Sequence, residues 1–173
     1  MAIQFLDMMV SQQLDSPSGT TVLTTVPLLI GDLGVSTSLV VGTPNQDKVR
    51  VGLSGTVGIL HNAKDKHDKD KHKDKKKDKH DHDSHASVLF TIERGGNGTF
   101  GSGTVIYQEE YRPVKKHTSL IPVSITTTDF PPSAAAAQSL IRYTLYVALD
   151  VPSEAFILTG PIAIYGVAVA GFN

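Results

Sequence analysis

Three histidines near the end of a highly charged segment could ligate a divalent metal ion. His80, His82 and His85 alternate with aspartates, and imidazole and carboxylate groups are suitable donors for zinc or nickel. Nine lysines in the same segment, residues 64–85, would repel a cation, and no pattern in the segment would hold the ligands in place. We therefore expect only weak or adventitious metal binding there, and no cofactor.

The chain offers few residues for nucleophilic or acid–base catalysis. It has no cysteine, and its only histidines outside the charged segment are His61 and His117. A general base must lie within hydrogen-bonding reach of the group it deprotonates. His61 borders the charged segment, and His117 ends a basic, proline-containing stretch, 112–117, that is typical of an exposed loop. We therefore expect that the protein is not an enzyme.

The charged segment cannot contribute to a hydrophobic core. Its 22 residues include nine lysines, seven aspartates and five histidines, and none of them is apolar. This composition is typical of a disordered, solvated loop. With histidine neutral the segment carries +2, so the rest of the chain must carry −3 to give the total of −1. Lysines interleaved with aspartates, without aromatic residues, do not indicate a nucleic-acid partner.

Both ends of the chain bear on targeting. The first ten residues lack a basic region and are interrupted by Gln4 and Asp7, which argues against a secretory signal and favours synthesis in a cytoplasm. The most apolar window, residues 155–172, is broken by Gly160 and Pro161. Strands explain it better than a membrane-spanning helix, so we expect no membrane partner.

The elements that would position all these side chains are β-strands. Apolar residues alternate with polar or small ones along 48–60 and again along 141–149, which is the period of a half-buried strand. Six further β-rich runs lie at 21–30, 36–41, 87–93, 103–108, 120–127 and 161–170. Residues 94–99 favour a hairpin turn, and 133–141 a short helical turn. About eight antiparallel strands predict an all-β fold, a sandwich or jelly roll.

The last of these runs is apolar or small on both of its alternating faces. In residues 161–171 isoleucine, valine, alanine and glycine occupy nearly every position. Both faces of such a strand are expected to be buried. A central strand of the sandwich and a strand at a subunit interface would each meet that expectation.

We expect one β-sandwich domain, residues 20–173, interrupted by the charged segment at 64–85 and preceded by an N-terminal arm, residues 1–19. The arm begins with apolar residues and continues into a polar stretch, 11–19, that suggests a flexible spacer. Such an arm can add a strand to a neighbouring subunit or fill its groove, and the alternative is an ordinary first strand of the same domain. The expected interface residues are Ile3, Phe5, Leu6, Met8, Met9 and Val10.

Four stretches of the sequence resemble the exosporium protein C-like family of Bacillus-type spore surface proteins. They are 47–58 (DKVRVGLSGTVG), 88–95 (VLFTIERG), 143–147 (YTLYV) and 160–166 (GPIAIYG). The resemblance implies a small β-sandwich that is made in the mother-cell cytoplasm without a signal peptide and deposited on the spore surface, in the exosporium or an appendage. The chain is similar, more distantly, to the trimeric jelly rolls of spore-surface and tumour-necrosis-factor-like proteins.

These observations together predict a non-enzymatic structural subunit of a spore outer layer or spore-surface fibre. The subunit would assemble through its β-sandwich surfaces and its N-terminal arm. The expected partners are further copies of the chain, in a homo-oligomer or fibre, and other spore surface proteins. The alternative is a ligand- or metal-binding surface module that acts through the charged segment.

Overall fold

The computed structural model describes residues 3–62, 86–112 and 118–171, which form two antiparallel β-sheets packed face to face. The strands are β1 (Gln4–Leu14), β2 (Thr21–Val22), β3 (Leu28–Ser36), β4 (Arg50–His61), β5 (Val88–Arg94), β6 (Thr104–Tyr111), β7 (Ser119–Asp129), β8 (Leu140–Leu149) and β9 (Phe156–Ala170). A one-turn helix, α1 (Ser133–Ala136), precedes β8, as the sequence predicts. Two 3-10 turns, Ser38–Val40 and Gln46–Lys48, lie between β3 and β4.

The pairing order of the strands defines the fold. Sheet A has the order β1-β9-β4-β7, with the two-residue β2 also pairing to β9, and sheet B has the order β3-β8-β5-β6. When β2 is left aside, the first strand pairs with the eighth, the second with the seventh, the third with the sixth and the fourth with the fifth. This nested pairing is that of a jelly roll of two four-stranded sheets. The predicted all-β sandwich or jelly roll is therefore confirmed.

The core lies between the two sheets and is built from the alternation seen in the sequence. In β4 the side chains of Val51, Leu53 and Val57 point inward and are at most 1% exposed. In β8 Tyr143 and Leu145 are fully buried. Each fully buried side chain of this size stabilises the fold by about 1.5–3 kcal/mol. Both runs with a period of two are confirmed as core strands.

The predicted hairpin turn joins β5 to β6. Gly95, Gly98 and Gly101 have φ angles of +76°, +96° and +81°, which side chains other than glycine rarely tolerate. Glu93 holds this turn from beneath, because its carboxylate accepts the N–H groups of Gly101 at 2.7 Å and Gly103 at 3.0 Å. The turn therefore depends on one buried carboxylate as well as on its glycines.

The N-terminal region differs from the predicted free arm. Residues 4–14 form an edge strand, β1, that pairs with β9 from Ala170 to Ile162 within the same domain. The polar stretch expected to be a spacer begins inside this strand, and a Cβ at Gly160 would overlap the carbonyl oxygen of Ser16, so the chain beyond β1 also packs closely on β9. Irregularities in the register between Phe5 and Asp7 and between Gln12 and Leu14 shift the alternation of inward and outward side chains. The sequence therefore lacks the regular period of a strand here.

The final strand, β9, is the centre of sheet A. It pairs with β1 and β2 on one side and with β4 on the other. Its inward side chains, such as Ile162 and Ile164, are at most 1% exposed and belong to the core. Its outward side chains are only partly covered, and Tyr165 is 44% exposed. The second apolar face of β9 is therefore not buried by the described residues.

The charged segment lies in the sequence between β4 and β5, each of which pairs with other strands of its own sheet. Residues 64–85, with His80, His82 and His85, fall outside the described residues. On one side β4 ends at His61, and the N–H of Asn62 donates to the carbonyl of Ala155 at 2.7 Å. On the other side β5 begins at Val88. The predicted position, a connection between two strands, agrees with these flanking elements.

Candidate functional site

One side of sheet A points away from the core and is formed by alternate residues of its strands. The register places Met8 beside Val167, and it places Ser54 between Tyr165 and Thr126. Directly opposed residues of antiparallel strands share a face, so these side chains all point outward. We call this surface the outer A face, and its middle is formed by Phe5, Met8, Val10, Ala163, Tyr165, Val167, Val169, Gly52, Ser54, Thr56, Ser124, Thr126 and Thr128.

The half of the outer A face on β1 and β9 is apolar. Phe5, Met8 and Val10 are 59%, 56% and 56% exposed, and Tyr165 lies next to Val10. The bulge after Phe5 keeps this residue on the same side as Met8 although three positions separate them. Single exposed apolar residues are common, but a contiguous group of this kind marks an interaction surface.

The other half, on β4 and β7, consists of small and hydroxyl-bearing residues. Ser54 and Thr126 lie opposite each other, with 3.4 Å between their hydroxyl oxygens. Thr56 and Ser124 form the next outward pair along the two strands. Short side chains of this kind leave the sheet flat, so another flat surface can approach closely.

A row of apolar side chains crosses the outer A face near the end of β4. The register aligns Val22, Ile157, Leu60 and Leu120 on four neighbouring strands. Val22 and Leu120 are each 48% exposed. This row adds a second apolar area to the one on β1 and β9.

Charge is nearly absent from the outer A face. In the described strands of sheet A, the one Lys, Arg, Asp or Glu side chain that points outward is Arg50, at a corner. Its guanidinium carbon lies 4.6 Å from the centre of the Phe130 ring, a cation–π contact. A protein surface normally mixes charges of both signs, so a neutral face of this extent is unusual for a solvated surface.

The outer side of sheet B has the opposite character. Arg142 of β8 donates from Nε to Asp32 of β3 at 2.8 Å. Tyr146 is buried under the β5–β6 turn, where Phe100 packs edge-on against its ring with centroids 5.3 Å apart. Sheet B therefore carries charges on its outer side and is partly covered by its own chain.

The sheet edges formed by β1, β3 and β7 carry features that oppose pairing with another strand. Asp7 and Ser11 of β1 point inward and accept the edge N–H groups of β3, from Ser36 at 2.7 Å and from Asp32 at 3.2 Å. An inward charge and a bulge are known means of protecting an edge strand. The edge strand β7 contains Pro122, which removes a backbone donor.

The buried charged groups hold the fold together. Arg94 donates through Nη1 to both carboxylate oxygens of Asp129, at 2.7 and 2.9 Å, and the Tyr143 hydroxyl donates to the same carboxylate at 2.7 Å. Burial, together with this hydrogen bond, raises the pKa of Tyr143 above its ordinary value. These contacts tie β5, β7 and β8 together, and both oxygens of Asp129 accept hydrogen bonds in them.

A cavity of about 340 Å³ lies beside this cluster and is lined in part by Arg94, Arg142 and Gln138. Its two guanidinium groups are already engaged, Arg94 by Asp129 and Arg142 by Asp32 and by the carbonyl oxygen of Gly96. Both guanidinium groups of the cavity are therefore paired with a carboxylate of the fold.

Of the histidines considered as catalytic or metal-binding groups, His61 is the one that lies in the described residues. His61 lies at the end of β4, stacks on Phe156 with ring centroids 4.9 Å apart, and has a buried Nδ1 without a hydrogen-bond partner. Burial lowers the pKa of His61. His117 lies outside the described residues. Within the parts of the chain that are described, no three His, Asp or Glu residues are grouped to hold a metal ion.

The predicted interface residues divide between surface and core. Phe5, Met8 and Val10 lie on the outer A face, and Ile3 and Met9 are 65% and 42% exposed. Leu6 differs, because it is 9% exposed and packs in the core. Sequence reasoning considered β9 as one of two explanations for its second apolar face, and it missed the contributions of β4 and β7.

None of the helices in the described residues is long and apolar enough to cross a membrane.

The sequence matches no family model and no curated protein. Among solved structures, dimeric latent PorU from Porphyromonas gingivalis is 10% identical, with a TM-score of 0.45, and the alignment covers 97% of this chain and 13% of that one. The T13 viral particle of infectious bursal disease virus (IBDV) is 9% identical, with a TM-score of 0.44 and coverages of 94% and 34%. The VP2 subviral particle of the same virus is 10% identical, with a TM-score of 0.39 and coverages of 94% and 32%. The chain thus spans about a third of these chains or less.

Proposed function

We propose that this protein is a non-enzymatic structural subunit of a spore outer layer or spore-surface fibre, and that it assembles with further copies of itself. The outer A face carries the proposal. Exposed Phe5, Met8, Val10 and Tyr165 lie on a broad surface with a single charged corner residue in the described strands. Leaving such a surface in water costs free energy that association recovers.

The buried polar groups support a structural role. Glu93 is fully buried and accepts two backbone N–H groups of the β5–β6 turn. Asp129 accepts from Arg94 and Tyr143. Catalytic acids and bases need a free position next to a substrate. In contrast, both oxygens of each of these carboxylates accept hydrogen bonds from groups of the same domain.

The spore surface is proposed from the sequence resemblance. The four stretches that carry it lie in or beside β4, β5, β8 and β9, which are the inner strands of the two sheets. They include residues of both the core and the outer A face. The location can be tested in a spore-forming host by immunogold labelling of thin sections, where label over the outer layers is expected and label confined to the spore core would contradict it.

Assembly is tested on the purified full-length chain. Light scattering and negative-stain electron microscopy across a range of protein concentrations should show closed oligomers or fibres larger than the 18.5 kDa single chain. A species that remains monomeric at the highest concentrations, with native circular dichroism, would contradict the proposed function.

A further inference from the structure

We propose that the outer A face is covered by a second copy of this chain, and that copies meet through this face and not through their strand edges or the charged segment. This inference rests on the proposed self-assembly and specifies the surface that carries it.

The chemistry of the face restricts its occupant. A partner surface that carried charges would bury them without counter-charges against β1, β4, β7 and β9, and an unpaired buried charge is strongly destabilising. The occupant must therefore be flat and uncharged, with apolar and hydroxyl groups. In the described residues the outer A face itself has that composition, and two copies of it approach without like-charge repulsion.

The size of the face suits a stable contact. Four strands about 4.8 Å apart are about 19 Å wide, and 11 residues at about 3.3 Å each are about 36 Å long, so the face covers on the order of 700 Å². A stable interface buries about 800 Å² per partner. One copy is therefore enough to cover most of the exposed apolar side chains on β1 and β9.

The competing modes of contact are disfavoured by features of the same molecule. The inward Asp7 and the bulge beside it protect the β1 edge, Pro122 interrupts the β7 edge, and the β6 edge carries Glu109 and Glu110. On sheet B, the Arg142–Asp32 pair gives the outer side a charged character. The outer A face is the large exposed surface of the described residues without such a feature.

The absence of cysteine from the sequence makes a direct test possible. Four single variants place a thiol near the middle of the outer A face: Ser54→Cys, Thr56→Cys, Thr126→Cys and Tyr165→Cys. In a closed symmetric oligomer a residue close to the rotation axis lies near its own copy. We expect at least one of the four to give more than half covalent dimer under mild oxidation. Gln108→Cys, on the exposed outer side of β6, is the matched control and should stay uncrosslinked.

A charge placed on the face provides a second readout. Thr56→Glu puts like charges into the proposed contact while leaving the core untouched, so the oligomer should dissociate at least ten-fold more readily, with unchanged circular dichroism. Gln108→Glu should have no such effect. If the wild type assembles but only Gln108→Cys crosslinks, or if Thr56→Glu assembles normally, this inference is wrong while the proposed function stands. A monomeric wild type would instead overturn both.

Discussion

Asp129 joins three strands through a single carboxylate. Its own strand is β7, Arg94 reaches it from β5, and the hydroxyl of Tyr143 reaches it from β8. The side chains of Arg94 and Asp129 are only 14% and 7% exposed. In such surroundings water screens the ion pair weakly, so the loss of one partner leaves a charge that nothing nearby neutralises.

We expect Asp129→Asn to lower the free energy of unfolding by about 3 kcal/mol, since breaking a buried pair from one side is strongly destabilising. Urea unfolding followed by circular dichroism measures the change. Asp15→Asn, at an exposed position, is the control and should stay within about 0.5 kcal/mol of the wild type. A loss below about 1 kcal/mol for Asp129→Asn would show that the pair is solvated.

His61 should make the fold less stable in mild acid. Burial lowers its pKa in the folded chain, whereas in the unfolded chain it has the ordinary value of about 6.5. The unfolded state therefore binds the proton first as pH falls, and stability decreases below about pH 6.5.

The variant His61→Phe keeps an aromatic ring against Phe156 but cannot titrate. Its melting temperature should fall less than that of the wild type between pH 7.5 and pH 5. The histidines of the charged segment are common to both proteins and cancel in the comparison. Equal losses in the two proteins would rule out this role of His61.

At the scale of the strands, the sequence predicted the strands best where hydrogen-bonded pairing is regular and one face of the strand is buried. The alternation in β4 and β8 survives in the structure because the extra residues at the irregularities of their ladders lie in the partner strands β9 and β3. The strand β1 was only the alternative to an intersubunit arm, for a definite reason: bulges beside Asp7 and Gln12 shift the alternation, and Leu6 is the one apolar side chain of the strand that is buried in the core. An edge strand with most side chains exposed leaves little hydrophobic periodicity to detect.

Removal of residues 1–19 should destabilise the single chain. The deletion takes away the pairing of β1 with β9 and the core residue Leu6. It also removes the side chains of Asp7 and Ser11, which accept hydrogen bonds from backbone N–H groups of β3. We expect the melting temperature to fall by more than about 6 °C, equivalent to at least about 2 kcal/mol for a domain of this size. Measurement at low protein concentration separates this loss from any loss of assembly. An unchanged melting temperature together with lost assembly would favour the arm that the sequence suggested.

Replacement of residues 64–85 by a short glycine–serine turn should leave the fold intact. The segment contains no apolar residue, and the described strands on either side have their own partners in both sheets. The melting temperature should shift by no more than about 4 °C, as measured by thermal unfolding. A fall of more than about 10 °C would mean that the segment takes part in the packing.

At the scale of the whole molecule, the outer A face was predictable only in part. The apolar start of the chain pointed to Phe5, Met8 and Val10, but the hydroxyl half on β4 and β7 needed the register that aligns Ser54 with Thr126. A single sequence gives the composition of each strand and not the order in which the strands lie side by side. That order places four strand faces next to one another, and Arg50 at a corner is their one charged side chain in the described strands.

Association through a neutral surface should be insensitive to salt. At 1 M ionic strength the screening length is about 3 Å, so contacts between charged segments weaken, whereas apolar contacts do not. We expect the oligomer mass from light scattering to be the same in 0.05 M and 1 M sodium chloride, and ammonium sulfate to favour assembly further. Dissociation at 1 M sodium chloride would point to the charged segment as the contact.

The central position of β9 also sets the order in which the chain can fold. Gln4, near one end of the described residues, pairs with Ala170, near the other. The strand β4 also pairs with β9. The pairing of β1 and β4 with β9 cannot be completed until residue 170 has been synthesised. Folds dominated by such distant pairs take milliseconds to seconds. During that interval the inner faces of β4 and β7 are unprotected, and crowding of nascent chains favours aggregation over closure. Chaperone binding to the unfinished chain in the producing cell would therefore raise the yield of folded subunits.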